Sequence, residues 1–157
     1  APVELDAVFS EVMVVNPVTV MSDMFGNFII QKLLEICTDE QRKGLIDACA
    51  FNVLKLSQSK YGCRVVQKAL PIAARLGMAE MFVTELTPAV CALVQDQNGN
   101  HVIQRCIETR CAALVSFVID ALDSQVLSIG CHPYGCRVIQ RILDFCLPPL
   151  EEYASYR

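Results

Sequence analysis

Tyr134-Gly-Cys-Arg-Val-Ile-Gln-Arg141 is the last of four similar octets in a chain of 157 residues. Phe25-Gly-Asn-Phe-Ile-Ile-Gln-Lys32, Tyr61-Gly-Cys-Arg-Val-Val-Gln-Lys68 and Asn98-Gly-Asn-His-Val-Ile-Gln-Arg105 precede it. Their glycines, Gly26, Gly62, Gly99 and Gly135, stand 36, 37 and 36 residues apart. A fixed period of about 20–50 residues marks a solenoid, in which each unit buries its apolar face only against its neighbours. The rest of the chain is read outward from these four points.

Counted from each glycine, positions plus three, four, seven and eight are apolar in every copy: Ile29, Ile30, Leu33 and Leu34 in the first, Val138, Ile139, Ile142 and Leu143 in the last. At about 100° per residue they cover an arc of roughly 140°, the width of a core-facing helix stripe. Adjacent apolar pairs recur, so the alternation of a strand is absent. Ahead of each octet a short helix is expected, with apolar residues eight and six positions before the glycine: Val18 and Val20, Leu54 and Leu56, Cys91 and Leu93, Leu127 and Ile129. Thr38-Asp-Glu-Gln41 has the form of a capping box, so a third helix starts there and runs to about Ala50. Its expected counterparts are Leu76 to Leu86 and Ala112 to Leu122.

The chain therefore reads as an all-α, right-handed solenoid of three-helix repeats forming one partial repeat domain over 1–157. Val3 to Val14, an amphipathic helix with no octet of its own, reads as the end of a truncated preceding repeat (1–14). Four repeats follow at about 15–51, 52–87, 88–123 and 124–157. Pro88 opens the third and Pro148-Pro149 closes the fourth, with a last helix expected after Pro149.

An apolar content of 54% is ample for a core, and no apolar run reaches the roughly 18 residues of a membrane span. With no signal segment at its start, the chain is expected to be soluble and intracellular. Nine cysteines, most in apolar helical stretches, read as reduced, buried thiols. Cys131, His132 and Cys136 lack a second ligand pair and are interrupted by Pro133, so no metal is expected. A Ser–His–Asp arrangement, a phosphate-binding glycine loop and a plausible carboxylate pair are all lacking, so neither enzymatic activity, a cofactor nor a small-molecule substrate is expected.

The outward side of the octets carries the functional signal. Plus one reads Asn27, Cys63, Asn100 and Cys136, while plus five is Gln31, Gln67, Gln104 and Gln140. These positions lie one turn apart on one side of a helix. Plus two reads Phe28, Arg64, His101 and Arg137, all planar groups able to stack. Simple solvation would tolerate Lys, Glu or Ser at these places as readily. A net charge of −4 argues at first against a nucleic-acid partner. Yet Lys32, Arg64, Lys68, Arg105, Arg137 and Arg141 all sit at plus two or plus six, and no Asp or Glu occurs from plus one to plus six. A positive stripe along one face is the expectation.

At these octets the sequence resembles the Pumilio (PUF) family of RNA-binding proteins, over essentially its whole length. The resemblance implies that Asn27/Gln31, Cys63/Gln67, Asn100/Gln104 and Cys136/Gln140 each read one base edge. Phe28, Arg64, His101 and Arg137 would then stack between bases. It further implies a concave RNA-binding arc of about eight repeats, of which these four octets are about half, so that the chain is expected to be a fragment. The RNA would run antiparallel to the protein, as part of an mRNA 3′ untranslated region, in cytoplasmic post-transcriptional control of stability or translation. Phe28 departs slightly from the commoner Tyr at the stacking place; it keeps the ring and loses the hydroxyl.

Chemistry gives the same pairing. A Gln amide offers a donor and an acceptor to adenine or uracil. Two amides reach toward a small pyrimidine, whereas the shorter Cys leaves room for a purine. The expected core site is 5′-AUAU-3′. A helical scaffold that binds protein on its concave face is the competing reading. It predicts varied concave residues, unlike the repeated Gln, and protein partners on the convex face remain compatible with RNA binding.

Overall fold

The computed structural model describes residues 3–146. Helix α1 (Val3–Val14) leads into three triplets. These are α2 (Pro17–Ser22), α3 (Gly26–Ile36) and α4 (Asp39–Asp47); α5 (Val53–Gln58), α6 (Gly62–Leu76) and α7 (Ala79–Leu86); and α8 (Val90–Gln95), α9 (Gly99–Glu108) and α10 (Ala112–Leu122). The helices α11 (Val126–Gly130) and α12 (Gly135–Cys146) follow. Each octet helix packs on the next, α3 on α6, α6 on α9 and α9 on α12. Every described element is helical, and the architecture is an all-α solenoid.

Space, not backbone freedom, explains the repeated glycine. A Cβ on Gly26, Gly62 or Gly99 would lie 2.7, 2.9 and 2.9 Å from the carbonyl oxygen of Val20, Leu56 and Leu93, six residues back in the short helix. On Gly135 it would press on the Ile129 carbonyl in the same way. The short helix and the octet helix therefore meet backbone to backbone, and a larger residue would force them apart.

The Thr38 capping box forms with both of its halves, and Asn16 caps α2, with Pro17 at the first helical position. Two boundaries differ from expectation. Helix α4 stops at Asp47 and gives way to turns that reach Phe51, at φ 62°. Helix α7 starts at Ala79, because α6 continues through Pro71 to Leu76 and ends on Gly77 at φ 74°. A proline inside a helix leaves the carbonyl four residues earlier without its N–H. Here that carbonyl belongs to Gln67, and Nε of Arg105, on α9, donates to it at 3.3 Å. In α5 and α8 burial falls nine, six and five residues before the glycine, at Val53, Leu56 and Ser57 and at Val90, Leu93 and Val94, whereas α2 buries only Met21 and α11 only Ile129. The position eight before is half-buried or, at Leu127, 87% exposed. Pro148-Pro149 and the helix expected after them lie outside the described residues.

All nine cysteines are free. Burial pushes the Cys49 thiol up to about 12 and raises Cys106 further still, as befits inert core thiols. None of the described helices is long and apolar enough to cross a membrane.

Candidate nucleic-acid interface

Each octet helix begins on a capping side chain three residues before its glycine. Oδ1 of Asp23 accepts from the amides of Phe25 and Gly26 at 2.8 and 2.7 Å. Oδ1 of Asp96 accepts from Asn98 and Gly99 at 2.9 and 2.6 Å. Ser59 Oγ accepts from Gly62 at 3.1 Å. His132 Nδ1 accepts from the amides of Tyr134 and Gly135 at 3.2 and 3.3 Å. These caps satisfy amides that a helix start leaves unpaired. The amides of Gly26 and Phe25 hold the Asp23 carboxyl below its ordinary range. Sequence reading missed all four residues, since Asp, Ser, Asp and His share a role and not a side chain.

The caps set the start of each helix, and with it the plus-one residue. Asn27 is buried, and its amide nitrogen donates to the carbonyls of Asp23 and Met24, both at 2.9 Å. With its nitrogen turned to the backbone, Oδ1 faces the next turn and accepts from Gln31 Nε2 at 2.9 Å. Asn100 is likewise buried; it donates to Asp96 O at 2.8 Å and accepts from Gln104 Nε2 at 3.0 Å. In the Cys octets the thiols of Cys63 and Cys136 point back to Lys60 O and Pro133 O, each at 3.6 Å. Gln67 Nε2 then donates to the Cys63 carbonyl at 3.1 Å. Gln31, Gln67 and Gln104 are thus each tethered through one N–H, leaving Oε1 and a second N–H for another molecule. The expectation that both amides of an Asn/Gln pair reach outward is modified: Asn is the buried anchor in both pairs, while Gln31 is half-buried and Gln104 is itself largely buried, at 9% exposure.

Gln31, Gln67 and Gln104 line one recess of about 390 Å³ together with Arg64, His101 and Arg105. A second recess, also about 390 Å³, lies between Arg64 and His101 and contains Cys63 and Gln67. A planar slot with a polar end is what a base requires: a face to stack on and an edge to bond. Gln140 and Arg137 are exposed on α12, outside these two recesses, with Cys136 half-buried beside them. Phe28 is exposed and lines a separate groove against α1.

The positive stripe is weaker than the octets alone imply. Glu35 and Glu108, nine residues after their glycines, meet the plus-six bases. Glu35 bonds Lys32 at 3.1 Å and Lys68 of the next octet at 2.7 Å. Lys68 first, then Lys32, lowers the Glu35 carboxyl. Glu108 bonds Arg105 at 3.0 Å and lies 3.1 Å from Arg141 Nε, whose N–H is not aligned for a hydrogen bond. The plus-two cations Arg64 and Arg137 enter none of the ion pairs found among the described residues. No group of three or more His, Cys, Asp or Glu side chains suited to a metal occurs among those residues.

A family model described as "Pumilio-family RNA binding repeat" matches residues 18–48, 52–71, 89–122 and 125–150. A Pumilio domain-containing protein of Schizosaccharomyces pombe is 35% identical over 144 residues, covering 92% of this chain and 21% of its own length. Putative pumilio homolog 7 of Arabidopsis thaliana is 33% identical, over 89% of this chain and 22% of its own length. Among solved structures, the Puf4 RNA-binding domain bound to the HO endonuclease RNA 3′ UTR recognition sequence superposes with a TM-score of 0.82 at 37% identity, covering 90% of this chain and 43% of that one. PUF-8 in complex with PBE-RNA gives a TM-score of 0.82 at 32% identity, covering 97% and 44%. The chain thus spans about a fifth of those curated relatives and under half of those solved domains.

Proposed function

Because this chain belongs to the Pumilio family, a family of RNA-binding proteins and not of enzymes, we propose that it binds single-stranded RNA sequence-specifically, one base to each octet. The observation that carries the reading is the single recess that Gln31, Gln67 and Gln104 line together with the planar groups Arg64 and His101. A base entering such a slot stacks on a plus-two residue and turns its edge to the tethered Gln. Gln Oε1 accepts from N3–H of uracil or from the amino group of adenine, and the free N–H donates to the neighbouring acceptor. Where plus one is Cys63 or Cys136 the shorter side chain admits a purine. Where it is Asn27 or Asn100 the amide fills that space and favours a pyrimidine. Read from the C-terminal octet, antiparallel to the RNA, the preferred core is 5′-AUAU-3′. The fuller biological reading is binding to mRNA 3′ untranslated regions in the cytoplasm to control stability or translation, with protein partners on the convex face.

Titration of the chain with a short RNA containing AUAU and with a C-only RNA of equal length tests the reading. Tighter binding to the first supports it, and equal affinity for both refutes base reading. Stacking contributes about 1–3 kcal/mol per base before association costs are met.

A further inference from the structure

The surface around Arg64 and His101 has two flanks of different chemistry. Toward the C-terminal ends of the helices lie Lys68, Arg105 and Glu108, from plus six and plus nine. Toward the helix starts lie Lys60, Gln97 and Asn98, from minus two and minus one, in the recess that also holds Cys63 and Gln67. The octet pairs that read base edges leave this second flank without a role.

Its composition is particular to α6. Minus two reads Met24, Lys60, Gln97 and Pro133, and minus one reads Phe25, Tyr61, Asn98 and Tyr134. The recess of α6 therefore takes an Asn from the next octet where the other octets carry an aromatic ring. Asn98 Nδ2 donates to the carbonyl of Gln58, in the repeat before, at 2.9 Å. With that nitrogen fixed, Oδ1 is left to accept from a ligand. Gln97 beside it is exposed, so its amide can donate into the same space.

The order of groups along the helix decides which part of a nucleotide they meet. Under the base reading proposed above, on which this inference rests, adenine turns its 6-amino group and N1 to Gln67. Its C2 then lies against Cys63, one turn nearer the helix start. Around the ring from C2 come N3 and then the ribose, which falls on the flank of Gln97 and Asn98. We propose that Gln97 and Asn98 recognise the ribose 2′-hydroxyl of the adenosine held by α6. The Gln97 amide donates to the hydroxyl oxygen, and Asn98 Oδ1 accepts from its O–H. This position then reads sugar as well as base, and tells RNA from DNA at one nucleotide.

Fluorescence anisotropy titration of the chain with AUAU-containing RNAs altered at a single sugar tests this. A 2′-deoxyadenosine at the second adenine, the α6 position, should bind about fivefold more weakly, as loss of a net hydrogen bond does. A 2′-fluoro sugar there, which keeps the ribose pucker but cannot donate, should also bind more weakly. A 2′-deoxyuridine at the α9 position, where Pro133 and Tyr134 take the places of Gln97 and Asn98, should stay within about twofold. In Gln97→Ala the all-ribose strand should fall toward the affinity of the deoxy strand, so that the difference between them shrinks. Asn98→Tyr, which installs the residue found at minus one of two other octets, should shrink it too. Circular dichroism verifies that both variants fold. Equal binding of the ribose and deoxy strands by the unaltered chain would overturn the proposal. So would a loss of equal size on both strands in Gln97→Ala, the mark of a contact to phosphate. A cytidine at the second adenine that bound as tightly as adenosine would overturn the base reading and the sugar contact together. A weaker cytidine beside an unaffected deoxy strand would overturn the sugar contact alone.

Discussion

Helices α6 and α12 start from nearly the same octet, Tyr-Gly-Cys-Arg-Val followed by Val or Ile, Gln and Lys or Arg. Their surroundings differ. In α6, Val65, Val66, Ala69 and Leu70 are all buried, and Cys63 is too. In α12 only Val138 of the four equivalent apolar residues is buried; Ile139 and Ile142 are half-buried and Leu143 is exposed. An octet thus specifies which way each side chain points, while burial is supplied by the neighbouring repeats. In a solenoid a residue's energetic weight depends on its place in the stack as much as on its identity.

The sharpest way to break this comparison is to truncate the same position in both helices. Leu70→Ala should cost about 2–5 kcal/mol, as cavities in a close-packed core do. Leu143→Ala should stay within about 0.5 kcal/mol, the usual range for surface changes. Urea unfolding measures both, and equal losses would mean that position in the stack does not matter.

The next contrast concerns the bases that the two helices are proposed to read. Guanine offers donors at N1 and N2 where adenine offers an acceptor at N1, and a carboxylate accepts from both donors. Cys63→Ser with Gln67→Glu should move the α6 position from adenine to guanine by about 1–3 kcal/mol, the scale of a good bidentate base contact in DNA. The α12 position, with Cys136 and Gln140 intact, should keep its preference. Binding to RNAs that differ at one base or the other separates the two. If the double variant still preferred adenine at the α6 position, Cys63 and Gln67 would not be its readers.

Loss of a cap should be felt more in α12 than in α6. His132 receives two backbone amides and Ser59 one. His132→Ala should therefore cost about 1 kcal/mol and Ser59→Ala somewhat less. Hydrogen exchange at the amides of Tyr134 and Gly135 against that of Gly62 reports each helix start separately. Faster exchange at Gly62 in Ser59→Ala than at Gly135 in His132→Ala would reverse the ranking.

These residues show where sequence reading reached its limit. The octet helices, their apolar arc and the planar plus-two file are regular at a fixed offset and could be read directly. The caps could not, because Asp23, Ser59, Asp96 and His132 agree in acceptor geometry only. The short helices are too brief for a period to show which of their apolar residues are covered, and Leu127 is exposed where Ile129 is buried. Glu35 and Glu108 lie beyond the octet, and the Glu35–Lys68 pair joins residues 33 apart in sequence. The continuation of α6 past Pro71 was hidden for a similar reason, since the partner of the freed carbonyl comes from another repeat.

The smallest expected effect is one of pH. Helix α6 is tied to the first repeat through Lys68–Glu35 and through Arg75, which bonds Asp39 at 2.7 Å. Arg75, then Arg42, holds the Asp39 carboxyl well below the ordinary carboxylate range, and Glu35 is lowered by Lys68 and Lys32. Both carboxyls are lower in the folded chain than in the unfolded one. Their contribution is therefore present above the ordinary carboxylate pKa of about 4 and is lost as pH falls through the folded values. Thermal unfolding between pH 7 and pH 2 should show a decline that Asp39→Asn makes shallower. An unchanged slope in that variant would remove Asp39 from the account.

Pro71 bears on whether such repeats are interchangeable parts. Arrays of this kind invite cutting and rejoining, with each unit moved as a cassette. The second unit cannot travel alone without loss: its proline leaves the carbonyl of Gln67 in want of a donor, and the donor is Arg105 in the unit that follows. Transplanted in front of a unit with no such arginine, it would carry an unmet acceptor on the backbone of a residue proposed to face a base. The pair formed by the second and third units is therefore the natural cassette, and shuffling designs that cut between them should lose more than those that cut on either side.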